Sequence, residues 1–247
     1  MIQHALDTAS QTPTNRDVDR RAASRNELDA LVVNVELTLS SIVQGVALSF
    51  LADNARTVLS VGGATAWPYV ITGLLIILLF WSRSLIHTLT LIRWPLEFGH
   101  NCLYIACSLV EVLAFTRLAA PFSWFVLMTV FSGSVWVIFV YDMKMIRRRL
   151  NECSSRNSCQ LYALVASDQR LNIRFIVPLI FFFNLAAAVA LHTNPYFFLA
   201  RQGHLIFILI EAAGLLLYLG FIIRSFINMT PLIAAIREDW REGSQSS

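Results

Sequence analysis

Residues 74–81 read LLIILLFW, an uninterrupted apolar run in the first third of the chain. The run belongs to a longer hydrophobic stretch that begins at Trp67-Pro68 and carries its first charged residue at Arg83. About 20 helical residues of this kind cross a hydrocarbon core of ~30 Å. The stretch therefore predicts a transmembrane helix over residues 67–86.

Five other stretches have the same character, and together the six predict an all-α bundle of transmembrane helices. The predicted spans are 30–52, 67–86, 98–116, 122–141, 175–191 and 205–223. They leave a polar N-terminal segment (1–27), a polar loop (142–174) and a polar tail (229–247) around a membrane domain of 28–228. The apolar run that begins near Leu28 is too long for a signal-peptide core, so it is predicted to be an uncleaved first span.

The basic residues divide unequally between the two sides of this arrangement. Of nineteen Lys and Arg residues, only Arg56, Arg117 and Arg201 fall on one side, and the remaining sixteen fall on the other. Because Lys and Arg are disfavoured in translocated loops, the basic side is predicted to be cytoplasmic. The protein is therefore predicted to be a multi-pass inner-membrane protein with both termini in the cytoplasm.

Composition supports the same class and excludes others. Hydrophobic residues make up 56% of the chain and charged residues 14%, whereas soluble domains average about 25% charged residues. The net charge is only +3, and the basic residues gather at span ends, so a nucleic-acid partner is not expected. The expected partner is the lipid bilayer. Cys153 and Cys159 lie in the loop assigned to the cytoplasm, where thiols stay reduced, so no disulfide is predicted.

Three carboxyl groups fall inside predicted spans: Glu36, Glu111 and Glu211. A charged side chain at the membrane centre costs ~2.5–3.5 kcal/mol on insertion scales, so each invites a functional explanation. Glu111 and Glu211 are predicted at a common depth of ~10 Å below the outer boundary, where two facing carboxyls would bind a cation or share a proton. Alternatively, each is a neutral group hydrogen-bonded to a neighbouring helix. His87 and His100 are predicted near the inner boundary.

The first span carries small and polar residues at steps of three and four, which place them on one helical face. These residues are Asn34, Thr38, Ser41, Gly45 and Ser49. Small residues at this spacing let two helices approach closely, so the stripe predicts a helix-packing face. The alternative is that it lines an aqueous pore, which a homo-oligomer would provide.

Arg147, Arg148 and Arg149 form a basic run directly after the fourth span. Such a run is predicted to anchor the helix against anionic lipid, at ~1 kcal/mol per charge. The catalytic signatures Gly-x-Ser-x-Gly, His-Glu-x-x-His and the P-loop do not occur in the sequence, so catalysis is not predicted. We predict neither a metal nor a cofactor.

Two functions remain open from these observations. The first is a small channel or transporter for an ion or small solute, in which Glu36, Glu111 and Glu211 tune permeation. The second is a non-transporting membrane protein, such as an assembly factor, sensor or interaction protein, whose polar groups only hold helices together.

Overall fold

The computed structural model describes residues 15–91, 98–153 and 155–245, and the side chains of 27, 28, 30–91, 98–153 and 155–236. Every regular element in these ranges is helical. The helices are α1 (Asn15–Gly62), α2 (Trp67–Leu91), α3 (Phe98–Phe115), α4 (Pro121–Glu152), α5 (Arg156–Leu171), α6 (Val177–Thr193) and α7 (His204–Gln245). A 3₁₀ turn (Gly63–Ala66) joins α1 to α2, and π-helical segments lie at Asn172–Ile176 and Tyr196–Ala200.

Among the described residues, five helical stretches are long and apolar enough to cross a membrane. They are Ala30–Leu91, Phe98–Phe115, Pro121–Glu152, Arg156–Thr193 and His204–Ile236. The prediction of an all-helical chain with several helices of membrane-spanning length and hydropathy is therefore confirmed.

The first of these stretches, Ala30–Leu91, contains the end of α1 and all of α2, which form an antiparallel hairpin. Gly63 has a φ of 57°, in the left-handed region that glycine adopts without steric cost, and the chain reverses there. Ser40 of α1 then hydrogen-bonds to Ser84 of α2. Leu51 lies so close to Gly73 that an added Cβ would be only 2.8 Å from its Cδ1. Small size at Gly73 is what lets the two helices approach.

Six of the helices form a closed ring in the order α1, α3, α4, α6, α7, α2, with α2 returning to α1. Large apolar and aromatic side chains fill its centre. Among the fully buried ones are Tyr69, Phe115, Trp124, Phe125 and Met128. α5 is the exception, because it packs on α4 and α7 at one end of the ring. The ring therefore has a packed core, and the polar side chains within it are the features that need a functional explanation.

The stretch predicted as a loop, 142–174, is mostly helical. α4 continues to Glu152, and at 1.5 Å per residue its 32 residues measure ~48 Å, well beyond a hydrocarbon core of ~30 Å. α5 occupies most of the remainder. The predicted polar tail is also helical as far as Gln245, because α7 extends without interruption from the last span. Polarity therefore did not indicate where these helices end.

Cys153 and Cys159 form a disulfide, with their Cα atoms 5.4 Å apart. The prediction that these two thiols stay reduced is therefore wrong for this structure. α4 ends at Glu152 and α5 begins at Arg156, so the turn between the two helices brings the cysteines together. The bond fixes the short connection that positions α5 against the ring.

The π-helical segment Asn172–Ile176 joins α5 to α6. Asn172 is fully buried and accepts a hydrogen bond of 2.7 Å from the Tyr218 hydroxyl of α7. Its own amide donates to the backbone oxygen of Asp168 at 2.9 Å. Single π turns inside helices are rare and occur often at functional sites. Here the segment lies beside the buried polar groups described next.

Candidate functional site

The inward face of α1 carries three buried polar residues, Glu36, Ser40 and Gln44, at steps of four. This spacing stacks them one above another along the helix. The following inward positions, Ala47 and Leu51, are apolar and equally buried. The polar part of this face therefore covers two turns of α1.

The stripe predicted as a packing face lies elsewhere. Asn34, Thr38, Ser41, Gly45 and Ser49 are all exposed on the outer surface of the ring. The Thr38 hydroxyl donates to the backbone oxygen of Asn34 at 2.8 Å, and no atom outside the helix lies within 4 Å of a Cβ built on Gly45. Within the described chain this stripe therefore does not pack α1 against another helix at Gly45. A contact between copies of the chain stays a prediction.

The polar face of α1 meets a matching face of α3, and the two helices run parallel. Asn101 donates its amide to Glu36 Oε1. One turn further along, the Ser40 hydroxyl shares a hydrogen bond of 2.9 Å with the Tyr104 hydroxyl. It shares another of 2.9 Å with Ser84 of α2. Hydroxyl groups from three helices thus meet at one level.

The next level contains a carboxyl group. Gln44 Nε2 donates to Glu111 Oε2 at 3.3 Å and lies 3.5 Å from the Ser108 hydroxyl oxygen. Glu111 is fully buried. Glu111 Oε1 and Gln44 Oε1 have no hydrogen-bond partner among the described residues. This level therefore keeps two acceptor atoms that no described residue satisfies.

We call this set of side chains the polar ladder. Its members are Glu36, Ser40, Gln44, Ser84, Asn101, Tyr104, Ser108 and Glu111. From Asn101 to Glu111 the ladder rises ten residues along α3, ~15 Å, or about half of a hydrocarbon core. Two predicted permeation residues, Glu36 and Glu111, belong to it.

A second polar cluster, which we call the histidine–aspartate cluster, lies beside the ladder and consists of His87, His100 and Asp142. His100 Nδ1 is 2.8 Å from Asp142 Oδ1, and His87 Nδ1 is 3.6 Å from Asp142 Oδ2. The two imidazole rings stack with centroids 4.3 Å apart. A cavity of about 30 Å³ is lined by the cluster and by Ser84 and Tyr104 of the ladder. One small cavity therefore contacts both sets of groups.

Arg83 adds a charged group to the same region. It forms an ion pair with Asp168 of α5, and its second terminal nitrogen donates to Gln169 Oε1 at 2.8 Å. Gln169 in turn donates to the backbone oxygen of Phe139 at 3.0 Å. This pair was not predictable from the sequence, because Asp168 lies in the stretch predicted as a polar loop.

Glu211 occupies a separate site on α7. The Trp124 indole N–H donates to Glu211 Oε2 at 3.4 Å, and the Tyr69 ring contacts Trp124 edge to face. A largely apolar cavity of about 70 Å³ is lined by Glu211 together with Asn184 and Tyr218. The described hydrogen bonds of Glu111 go to α1, so the structure does not join the two carboxyls that the sequence placed at one depth.

The basic run at the end of α4 lies on the surface. Arg147 and Arg148 are exposed, and Arg149 is partly buried. Arg148 Nε is 3.0 Å from Glu152 Oε1, and Arg149 is 3.7 Å from the other oxygen of Glu152. Exposed pairs of this kind contribute ~0.3–0.5 kcal/mol, so the run remains available to anionic headgroups.

Comparison of the chain with protein families, with curated proteins and with solved structures finds no match. Its function is therefore inferred from its own residues and geometry.

Proposed function

We propose that this protein conducts protons through the polar ladder, as a six-span inner-membrane protein with both termini in the cytoplasm. The hairpin of α1 and α2 supports six crossings, because it divides the first apolar stretch into two antiparallel helices. The charge distribution supports the orientation, with sixteen basic residues on the proposed cytoplasmic side.

The observation that carries the proposal is the succession of hydrogen-bonded polar groups in adjacent turns of parallel helices. Glu111 bonds to Gln44, and one level inward the hydroxyls of Ser40, Tyr104 and Ser84 bond to one another. Polar and ionisable residues inside a membrane commonly mark ion pathways and proton relays. A hydroxyl group both donates and accepts, so a proton can be passed along such a series.

Protons fit this geometry better than hydrated metal cations do. The cavity at the inner end of the ladder measures about 30 Å³, above the ~10–15 Å³ that one water molecule needs. A cation with its hydration shell needs a wider passage. A proton needs only donors and acceptors within reach of one another, and the ladder sets three hydrogen-bonded levels of polar groups along ~15 Å.

Proton flux in proteoliposomes tests the proposal. A potassium diffusion potential set with valinomycin drives protons inward, and a trapped pH-sensitive dye reports their arrival. Wild-type protein should acidify the lumen faster than empty liposomes do. Glu111→Gln and Tyr104→Phe should each slow the flux by about tenfold or more, which corresponds to a barrier raised by ~1.4 kcal/mol.

Ser41→Ala is the matched control, because Ser41 is the exposed neighbour of the ladder residue Ser40. Its flux should equal that of the wild type, whereas Ser40→Ala should reduce it. Wild-type flux no greater than that of empty liposomes contradicts the proposal. So does undiminished flux in both Glu111→Gln and Tyr104→Phe.

The second candidate function is a non-transporting assembly or sensor protein, and one observation favours it. Several ladder groups are paired directly with each other, as in a purely structural contact between helices. Interhelical hydrogen bonds in membranes average ~0.6 kcal/mol, enough to hold α1 and α3 in register. On this alternative, purified protein conducts nothing, and pull-down from membranes recovers a defined complex.

The orientation has its own test, because two features of residues 142–174 indicate opposite compartments. The basic residues place this stretch in the cytoplasm, whereas a lasting disulfide such as Cys153–Cys159 is typical of oxidising compartments. Reporter fusions after Glu152 should show a cytoplasmic location. A periplasmic reporter signal would reverse the proposed orientation.

A further inference from the structure

Three helices contribute one potential metal ligand each to the histidine–aspartate cluster. His87 comes from α2, His100 from α3 and Asp142 from α4, and all three side chains are buried in the ring. Their ligand atoms all lie within 4.8 Å of one another. Two imidazoles and one carboxylate form a donor set that divalent transition metals commonly use in proteins.

The distances within the cluster fit a cation. Two ligand atoms that are each about 2.1 Å from a tetrahedral zinc ion stand about 3.4 Å apart. In the structure, His87 Nδ1 lies 3.6 Å from Asp142 Oδ2 and His100 Nδ1 lies 2.8 Å from Asp142 Oδ1. The first separation is slightly longer than this value and the second is shorter. Widening the His100–Asp142 separation by about half an ångström, estimated from that ideal value, brings both pairs to the spacing of zinc ligands. Because the two imidazole rings stack nearly parallel, one ring must also rotate for both nitrogens to face one ion.

Burial and free space at the cluster are compatible with a bound ion. His87 is about nine-tenths buried. The adjoining cavity of about 30 Å³ exceeds the ~10–15 Å³ that one water molecule requires. Metal sites with three protein ligands usually complete their coordination with water, which this cavity has room to hold.

The charge of the surroundings is compatible with a divalent ion. Asp142 brings a carboxylate, and the nearby Arg83 is already paired with Asp168. The positive charge of Arg83, which lines the same cavity, is therefore offset by Asp168. Mg²⁺ and Ca²⁺ prefer oxygen ligands, so a donor set with two imidazoles disfavours them.

We infer that His87, His100 and Asp142 bind one divalent transition-metal ion of the zinc or iron(II) class, with the cavity supplying water as a further ligand. The ion would tie α2, α3 and α4 together at the inner end of the polar ladder. This inference does not depend on proton conduction, since the metal site and the flux through Glu111 are measured separately.

Cobalt(II) is the probe for the first experiment, since its visible absorption reports the coordination number and its ligands. Chelator-treated full-length protein in detergent should bind one Co²⁺ per chain with a four- or five-coordinate spectrum, and Zn²⁺ should displace it. His87→Asn, His100→Asn and Asp142→Asn should each weaken Co²⁺ binding by at least about tenfold.

His192→Asn is the matched control, because His192 is an exposed histidine at the end of α6. It should bind Co²⁺ as the wild type does. Circular dichroism of each variant shows whether it has folded. If the three ligand variants all fail to fold, X-ray absorption at the zinc edge of the wild type still decides the question, and it should count two imidazole nitrogens.

Three results overturn the inference. The first is wild-type protein that retains no metal after dialysis. The second is a folded ligand variant that binds Co²⁺ as tightly as the wild type. The third is a zinc-edge spectrum with fewer than two imidazoles, which would mean that the cluster is a hydrogen-bonded pair of histidines on an aspartate.

Discussion

Both faces of α1 carry polar residues, but one face is buried in the ring and the other is exposed. Glu36, Ser40 and Gln44 face the ring, and each hydrogen-bonds to another helix. The outward face carries Asn34, Thr38, Ser41, Gly45 and Ser49, and it contacts no other helix at Gly45. Where the outward polar groups do bond, they bond to their own backbone, as Thr38 does to Asn34.

This comparison teaches that polarity alone does not identify the packed face of a membrane helix. A serine or threonine facing lipid satisfies its hydroxyl on the carbonyl one turn back, so it costs little. A buried glutamate has no such local partner and requires a donor from another helix. The informative residue on α1 was therefore Glu36, and the steps of four from Glu36 lead to Ser40 and Gln44.

The largest expected effect comes from enlarging a small residue on each face. Ala47 is fully buried, so Ala47→Leu should overpack the ring and lower the free energy of unfolding by about 1–3 kcal/mol. Gly45→Leu, two residues away on the open face, should change it little, because nothing surrounds that position. Denaturation of both variants in mild detergent measures the difference. Equal losses would mean that the outward face is packed in the folded protein.

A pair of asparagines gives the next largest contrast. Asn101→Leu removes the amide that donates to Glu36 and leaves a buried carboxyl without that partner. The expected loss is about 1–3 kcal/mol of unfolding free energy. Asn34→Leu on the exposed face should leave stability within ~0.5 kcal/mol of the wild type. Similar falls in melting temperature for the two variants would contradict the assignment of the buried and exposed faces of α1.

Adjacent serines provide a finer test. Ser40→Ala removes hydrogen bonds to Ser84 and Tyr104, which at ~0.6 kcal/mol each predicts a loss of about 1 kcal/mol. Ser41→Ala should be neutral. A double-mutant cycle of Ser40→Ala with Tyr104→Phe should show coupling between the two positions, and additive effects would mean that this hydrogen bond contributes nothing.

The smallest effect is expected at Thr38. Thr38→Val keeps the shape of the side chain and removes only a hydroxyl bonded to its own helix. The stability of the isolated chain should therefore change by no more than ~0.5 kcal/mol. If copies of the chain meet through this face, the same substitution should instead change the oligomeric state measured by analytical ultracentrifugation. An unchanged oligomeric state would leave the stripe without a role.

The helices were predictable from the sequence to the extent that hydropathy determines them. The predicted spans 67–86 and 98–116 nearly match α2 (Trp67–Leu91) and α3 (Phe98–Phe115). The ends of α4 and α7 were not predictable in this way, since both helices continue past the apolar run that defines the predicted span. Hydropathy indicates which residues are apolar enough to contact lipid. A helix that continues outside the lipid keeps its backbone hydrogen bonds, but its side chains need not be apolar.

The functional groups were predictable only one at a time. Glu36, Glu111 and Glu211 stood out individually because a carboxyl in lipid is costly. Their partners lie far away in the sequence, as Gln44 does from Glu111, so only the packing of the helices could pair them. The same holds for His87 and His100, which were predicted near the inner boundary, and for Asp142, which no local motif connects to them.

The π-helical segment at Asn172–Ile176 determines the direction in which each side chain of α6 faces. One residue fewer there would let α5 run into α6 as a continuous α-helix, in which each residue turns the chain by about 100°. Every later side chain of α6 would swing around the axis by that angle. Asn184, now fully buried on the wall of the cavity beside Glu211, would then lose its place there.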